Sequence, residues 1–234
     1  MICTTKAAIA KSPQSKQAWR ASLDLEIGRS NGKSVVKRSK QNGPLTIQSP
    51  FYPEDGVCHI YLLHPPAGIV GGDVLNLSVS AQQQSSVLLT TPGATKFYKT
   101  NGEIAHQDQC VRVSDGSSLE LLPQETIYYP ETNASLSTKV YLEGAGHFFG
   151  WELHCFGLPT RGDGLGKGQA RIRLAVYREN LLVLRDSLSI SETKNSFQAA
   201  FMRNSPVYGS FIMTGGNERL LETLRNKVLA DHLL

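Results

Sequence analysis

The stretch Trp19-Arg20-Ala21-Ser22-Leu23-Asp24-Leu25-Glu26-Ile27 alternates apolar and polar residues at every step. Successive side chains leave a pleated backbone on opposite sides, so period two marks a strand with one buried and one wet face. The same alternation returns at Leu75, Leu77 and Val79, at Leu136, Thr138, Val140 and Leu142, and at Ile172, Leu174 and Val176. Further strand candidates are 57–63, 86–91, 95–99, 104–113, 117–122, 125–129, 148–156, 181–184 and 207–213. Turn signals separate them: Asn31-Gly32, Asn42-Gly43-Pro44, Asp55-Gly56, Pro92-Gly93, Asn101-Gly102, Asp115-Gly116 and the glycine-rich 162–168. Short strands at roughly 8–12-residue spacing predict a mainly β fold. The exception is the C-terminal segment. From Glu218 onward Leu220, Leu221, Leu224, Val228 and Leu229 recur at helical spacing, with Asn217 as N-cap.

The chain has 234 residues, 40% of them apolar, and a net charge of +4. That length lets a fold bury roughly 70–75% of its unfolded surface. No repeat or low-complexity linker divides it, which predicts a flexible tail over 1–18 and a single domain over 19–234. The charge is too small and too scattered for a nucleic-acid binder. Its tightest basic cluster, Arg29, Lys33, Lys37, Arg38 and Lys40, reads as a solvated hairpin end around Asn31-Gly32. No apolar run approaches the ~18 residues that span a bilayer. Cys3, Cys58, Cys110 and Cys155 lie far apart with no Cys-x-x-Cys, which predicts reduced thiols in a cytoplasmic protein.

Familiar catalytic motifs fail on inspection. Gly68-Ile69-Val70-Gly71-Gly72 lacks the dinucleotide spacing and precedes a strand, not a helix. There is no Gly-x-Ser-x-Gly elbow. His59 and His64 fall on opposite faces, and His147 and His154 also lack ligand spacing, so each histidine reads as a core or surface residue. Trp19 and Trp151 lie in apolar strand phases and read as core.

Four ordered blocks stand apart. The first, His64-Pro65-Pro66-Ala67-Gly68-Ile69-Val70-Gly71-Gly72-Asp73, packs prolines and glycines before one carboxylate. Prolines withhold ladder donors, and glycines allow close approach, so this is a shaped loop that delivers Asp73. The others are Thr90–Lys99, with Thr95 and Lys96; Leu119–Ile127, with Glu120, Gln124 and Glu125; and Gly150–Gly157, with Glu152. A single Glu in a strand faces water more often than it is buried and satisfied.

Together these blocks resemble the urease accessory protein UreD (UreH) family. Its pattern runs His-Pro-Pro-Gly-Gly-Ile-Val-Gly-Gly-Asp, Thr-Thr-x-x-Ala-Thr-Lys, Leu-Pro-Gln-Glu-Thr-Ile and Gly-Trp-Glu. Ala67 replaces a glycine, a minor change if its φ is negative. Leu158, Pro159, Thr160 and Asp163 stand where the family tends to have an arginine and a Gly-Glu pair. Members usually continue for several elements beyond the C-terminal helix-like segment.

The resemblance implies an elongated, β-helix-like stack of sheets with one or two C-terminal helices. It implies no enzyme but a chaperone for nickel insertion into apo-urease, a scaffold and conduit working with UreF and the GTPase UreG. No cofactor is held tightly; nickel(II) is transient cargo. Nickel passage needs several weak sites, for which carboxylates suit better than a His/Cys cage. The passage candidates are Asp73, Glu120 and Glu125, with Glu152 behind them. Two other classes fit a β-rich chain: a ligand-binding module with exposed aromatics, and a hydrolase pairing Glu120 with Glu125.

Overall fold

The computed structural model describes residues 18–82, 84–191, 202–203 and 205–231. The expected tail therefore lies almost wholly outside the described residues. In chain order the strands are β1 (Arg20–Ser30), β2 (Lys33–Asn42), β3 (Thr46–Ile47), β4 (Val57–Leu63), β5 (Val74–Ala81), β6 (Ser86–Thr90), β7 (Thr95–Phe97) and β8 (Ala105–Val113). They continue with β9 (Ser118–Leu122), β10 (Thr126–Tyr128), β11 (Asn133–Leu142), β12 (His147–Phe156), β13 (Gln169–Arg178), β14 (Leu181–Ser191) and β15 (Val207–Met213). Helix α1 (Glu218–Asp231) follows, and the Asn217 side chain accepts from the Leu220 N–H at 2.9 Å, as an N-cap should.

The long strands alternate between two sheets. One has the order β14-β13-β11-β8-β5-β1-β2, and the other β3-β4-β6-β9-β12-β10-β7, with β15 added on β12. From β1 to β13 every neighbour pair in the first sheet is parallel, as are β4, β6, β9 and β12 in the second. The chain thus winds as a β-solenoid, with one strand in each sheet per coil. Leu23, Leu77, Gln109, Thr138 and Leu174 stack in register, one per coil. The apolar phases of both sheets meet between them in one continuous core. Antiparallel hairpins β1–β2 and β13–β14 close the ends of the first sheet.

Two expectations are corrected. Trp19 is 53% exposed, because it precedes β1 and no sheet covers it. Trp151 is half-buried on the outer face of β12, its indole N–H donating to the Pro123 carbonyl at 2.8 Å. The basic cluster extends into a full edge strand, β2, mostly exposed beyond Ser34. With both faces wet, it carries no alternation to read.

Candidate functional site: a cavity at a break in the second sheet

The second sheet is interrupted at one level. The β4–β6 ladder ends at Tyr61 and Thr90 and resumes as a bridge between Ile69 and Phe97. The β6–β9 ladder ends at Thr90 and Leu122 and resumes as β7–β10 from Thr95 and Thr126. The β9–β12 ladder stops at Leu121 and Gly150, and β10–β12 begins at Thr126 and His154. Pro65, Pro66, Pro92 and Pro123 all fall in these gaps, where their missing N–H groups prevent continuous pairing. Side chains take over part of the ladder's work: Thr90 Oγ1 donates to the Leu122 carbonyl (2.6 Å), and Thr91 Oγ1 accepts from the Gln124 N–H (2.9 Å). Beyond the break, Phe97, Tyr128 and Phe156 stack with centroids 5.3 and 5.1 Å apart.

Behind the break lies a cavity of about 430 Å³ between the sheets. All four sequence blocks line it. They contribute His64, Pro65 and Gly68; Thr91 to Lys96; Leu121, Pro123, Gln124 and Thr126; and Glu152 to His154. Pro65, Ala67, Pro92, Gly93, Gln124 and Leu153 are also solvent-exposed, so the break is the cavity's mouth. At about 24 cal/mol per Å³, a dry void of this size would cost on the order of 10 kcal/mol. The lining is mostly apolar, and Gln107, Gln109, Thr126, Glu152 and His154 interrupt it with polar groups that can hold water entering from the mouth.

The polar groups converge on Glu152. Its side chain is 11% exposed and accepts from Thr138 Oγ1 at 2.5 Å. Thr138 Oγ1 in turn accepts from Gln109 Nε2 at 3.1 Å. Glu152 Oε2 lies 3.5 Å from His154 Nε2. His154 Nδ1 and the Tyr128 hydroxyl are hydrogen-bonded at 3.1 Å, and both residues are buried. Two buried atoms of cavity-lining residues make no hydrogen bond: His154 Nε2, on the second sheet, and Gln107 Oε1, on the first. Burial pushes the Tyr128 phenol well above its ordinary range, and the Glu152 charge adds to that. The Tyr208 phenol is pushed up to about 12, first by burial, then by its 2.6 Å hydrogen bond to Asp186, with the Asp186 and Glu152 charges adding.

The candidates chosen from sequence are not gathered in one place. Asp73 is buried and accepts from the backbone N–H groups of Trp19 (2.8 Å) and Val70 (3.0 Å), so it pins the loop of the first block. His64, near it, has its pKa lowered by burial, which outweighs the pull of the Asp73 charge. Glu120 takes the outward phase of β9, between buried Leu119 and Leu121. Glu125 lies in the break, where its carbonyl accepts from the Thr95 N–H at 3.0 Å. Burial raises the Cys155 thiol's pKa, and the Glu125 charge adds to it. Only Glu152 of the four lines the cavity. It turns inward because it shares the phase of Phe148, Gly150 and Phe156.

Gln107 and Gln109 are not singled out by the sequence, and His154 reads there only as a core or surface residue without ligand spacing. The signal existed: glutamines occupy the core phase of β8 between Ala105 and Val111, and Glu152 and His154 stand two apart on one strand. Ala67 corrects another expectation, since its φ is +63°, the region a glycine enters freely. Gly68 is required for space, because a Cβ there would lie 2.0 Å from the Tyr98 ring. Cys58 and Cys155 are free thiols. Among the described residues there is no cluster of three or more His, Cys, Asp or Glu able to hold a metal ion, and no helix long and apolar enough to cross a membrane.

Fold and site together define a two-sheet parallel β-solenoid whose broken sheet opens onto an interior cavity with one cluster of polar groups around Glu152. The family model of the UreD urease accessory protein matches residues 19–232. The chain is 40% identical over 214 residues to the urease accessory protein UreD of Alcanivorax borkumensis, covering 89% of this chain and 72% of that one. It is 38% identical to the UreD of Escherichia coli (92% and 76% covered) and 37% identical to that of Klebsiella aerogenes (92% and 78% covered). The chain belongs to the UreD urease accessory protein family.

Proposed function

We propose that this protein serves nickel insertion into apo-urease as a non-catalytic chaperone, passing the ion through the cavity behind the broken sheet. The observation that carries the reading is the Glu152–His154 pair. A carboxylate and an unpartnered imidazole nitrogen lie 3.5 Å apart on the wall where all four sequence blocks meet. Imidazole suits nickel(II), and a carboxylate beside it is a weaker donor. Two protein donors leave most of the coordination sphere to water. Such a site is easy to enter and to leave, as conduction requires. Asp73, by contrast, is engaged by two backbone N–H groups and supports the loop. Glu120 and Glu125 remain candidates for passage or docking outside the cavity.

In this reading UreF and the GTPase UreG supply the ion, urease receives it, and the chain works as their scaffold in the cytoplasm. Co-expression with those three partners tests it. Urease matured with Glu152→Gln or His154→Gln should form the same complexes yet contain several-fold less nickel than with the wild-type chain. Normal nickel content with both variants, or full activation without this chain, would overturn the proposal.

A further inference from the structure

The outer face of the first sheet carries a separate feature. Arg171 and Arg173 on β13 and Arg185 on β14 are exposed, and Lys139 on β11 is half-buried beside them. The strand register fixes their layout. Ser137, Arg173 and Ser187 form one row across three strands, and Lys139, Ala175 and Arg185 form the next. No ion pair among the described residues involves any of the four cations. They rim a shallow groove of about 680 Å³ with a floor of small side chains such as Ser135, Ser137 and Ala175. Two carboxylates, Asp108 and Asp186, also line it, and Asp186 already accepts the Tyr208 hydroxyl at 2.6 Å. Four cations against two carboxylates leave the groove net positive; like charges on one face repel, and a partner of opposite sign relieves the repulsion.

We propose that this groove docks an acidic protein segment, an extended stretch presenting carboxylates at alternate residues. Arg171 and Arg173 stand two apart on one strand, so their stems are roughly 7 Å apart, the repeat of alternate side chains in any extended chain. Guanidinium forks pair bidentately with carboxylates at such positions. Three strands make the groove roughly 10 Å wide, which suits one polypeptide strand on a floor of serine and alanine. A nucleic-acid duplex presents a continuous line of phosphates and needs a longer basic stripe than this, free of the Asp108 carboxylate. At one end, Tyr177 stacks on Tyr141 with centroids 4.9 Å apart, and Leu182 pairs with Tyr177 across the ladder, giving the segment an apolar anchor. The inference is independent of the nickel reading, since none of the groove side chains named here lines the cavity.

Fluorescence anisotropy with the full chain and a labelled peptide of alternating Glu and Ser tests it. The wild type should bind the peptide at low salt and release it as salt rises. The double variant R171E/R173E should bind about tenfold or more weakly. The variant K33E/K37E, with the same change in net charge on the distant β2, should bind as the wild type does. Arg185→Glu, a single exposed change, gives the same reading should the double variant lose its strand circular-dichroism spectrum. Equal weakening by K33E/K37E, unchanged binding in the groove variants, or tighter capture of a DNA duplex or of phosphatidylserine vesicles than of the peptide would overturn the proposal.

Discussion

Ala67 is an alanine held where its family pattern has glycine, and Ala67→Gly should stabilise the protein. The turn is His64-Pro65-Pro66-Ala67, closed by the Ala67 N–H donating to the His64 carbonyl at 3.0 Å. At φ +63° the methyl crowds the backbone, a cost of roughly 1–2 kcal/mol for an L-residue. Replacement by glycine removes that cost but gives the unfolded chain more freedom, worth about 0.4–1 kcal/mol in the other direction. Ala67 is exposed, so little packing is lost with its methyl. The balance is a gain of about 0.5–1 kcal/mol, which for a chain of this size raises Tm by roughly 1–4 °C. Urea denaturation and calorimetry of wild type and variant measure it. An unchanged or lowered midpoint would mean that the methyl at the cavity mouth contributes more than the backbone loses, and would refute the reasoning.

Three further outcomes follow from the same geometry. Gly68→Ala forces the Tyr98 ring off its edge-on contact with Tyr129 and should cost about 1–3 kcal/mol by denaturant titration, whereas a neutral result would show that the ring moves freely. Asp73→Ala leaves the Trp19 and Val70 N–H groups without their acceptor and should cost about 2–3 kcal/mol, checked in the same way. The Tyr208 phenol is raised in the folded state, so its contribution to stability is complete below about pH 10 and is lost as pH climbs through about 12. Glu152→Gln removes one of the charges that raise it and should lower the midpoint of phenolate absorbance, and an unmoved midpoint would show that Glu152 does not reach Tyr208.

Much of the fold was legible because a solenoid strand with one core face must alternate, as 19–27 and 136–142 do. The winding was not legible. Coils stack through register, and the stacked positions Leu23, Leu77, Gln109, Thr138 and Leu174 share neither residue type nor even spacing. Strand β2 was missed because an edge wet on both sides has no phase. The prolines are readable as interruptions, but not the fact that three interruptions, marked by four prolines, lie at one level. The sequence ranks Glu152 behind Asp73, Glu120 and Glu125, and a lone strand Glu reads as facing water. In β12 that rule misleads, since Phe149, Trp151 and Leu153 put apolar residues on the outer phase too. Phe149 packs edge-on with Phe211 of β15 there, at 4.9 Å. With apolar residues on both faces, the pattern does not say which way the carboxylate turns.

On the function we propose, nickel touches Glu152 and His154 on its way through the broken sheet. Nickel X-ray absorption on the nickel-loaded chain, held in complex with UreF and UreG, tests it most directly. The prediction is an oxygen-rich shell with one imidazole, and that imidazole signal disappears in His154→Gln. A sulfur-ligated ion, or a spectrum unchanged in His154→Gln, would contradict it.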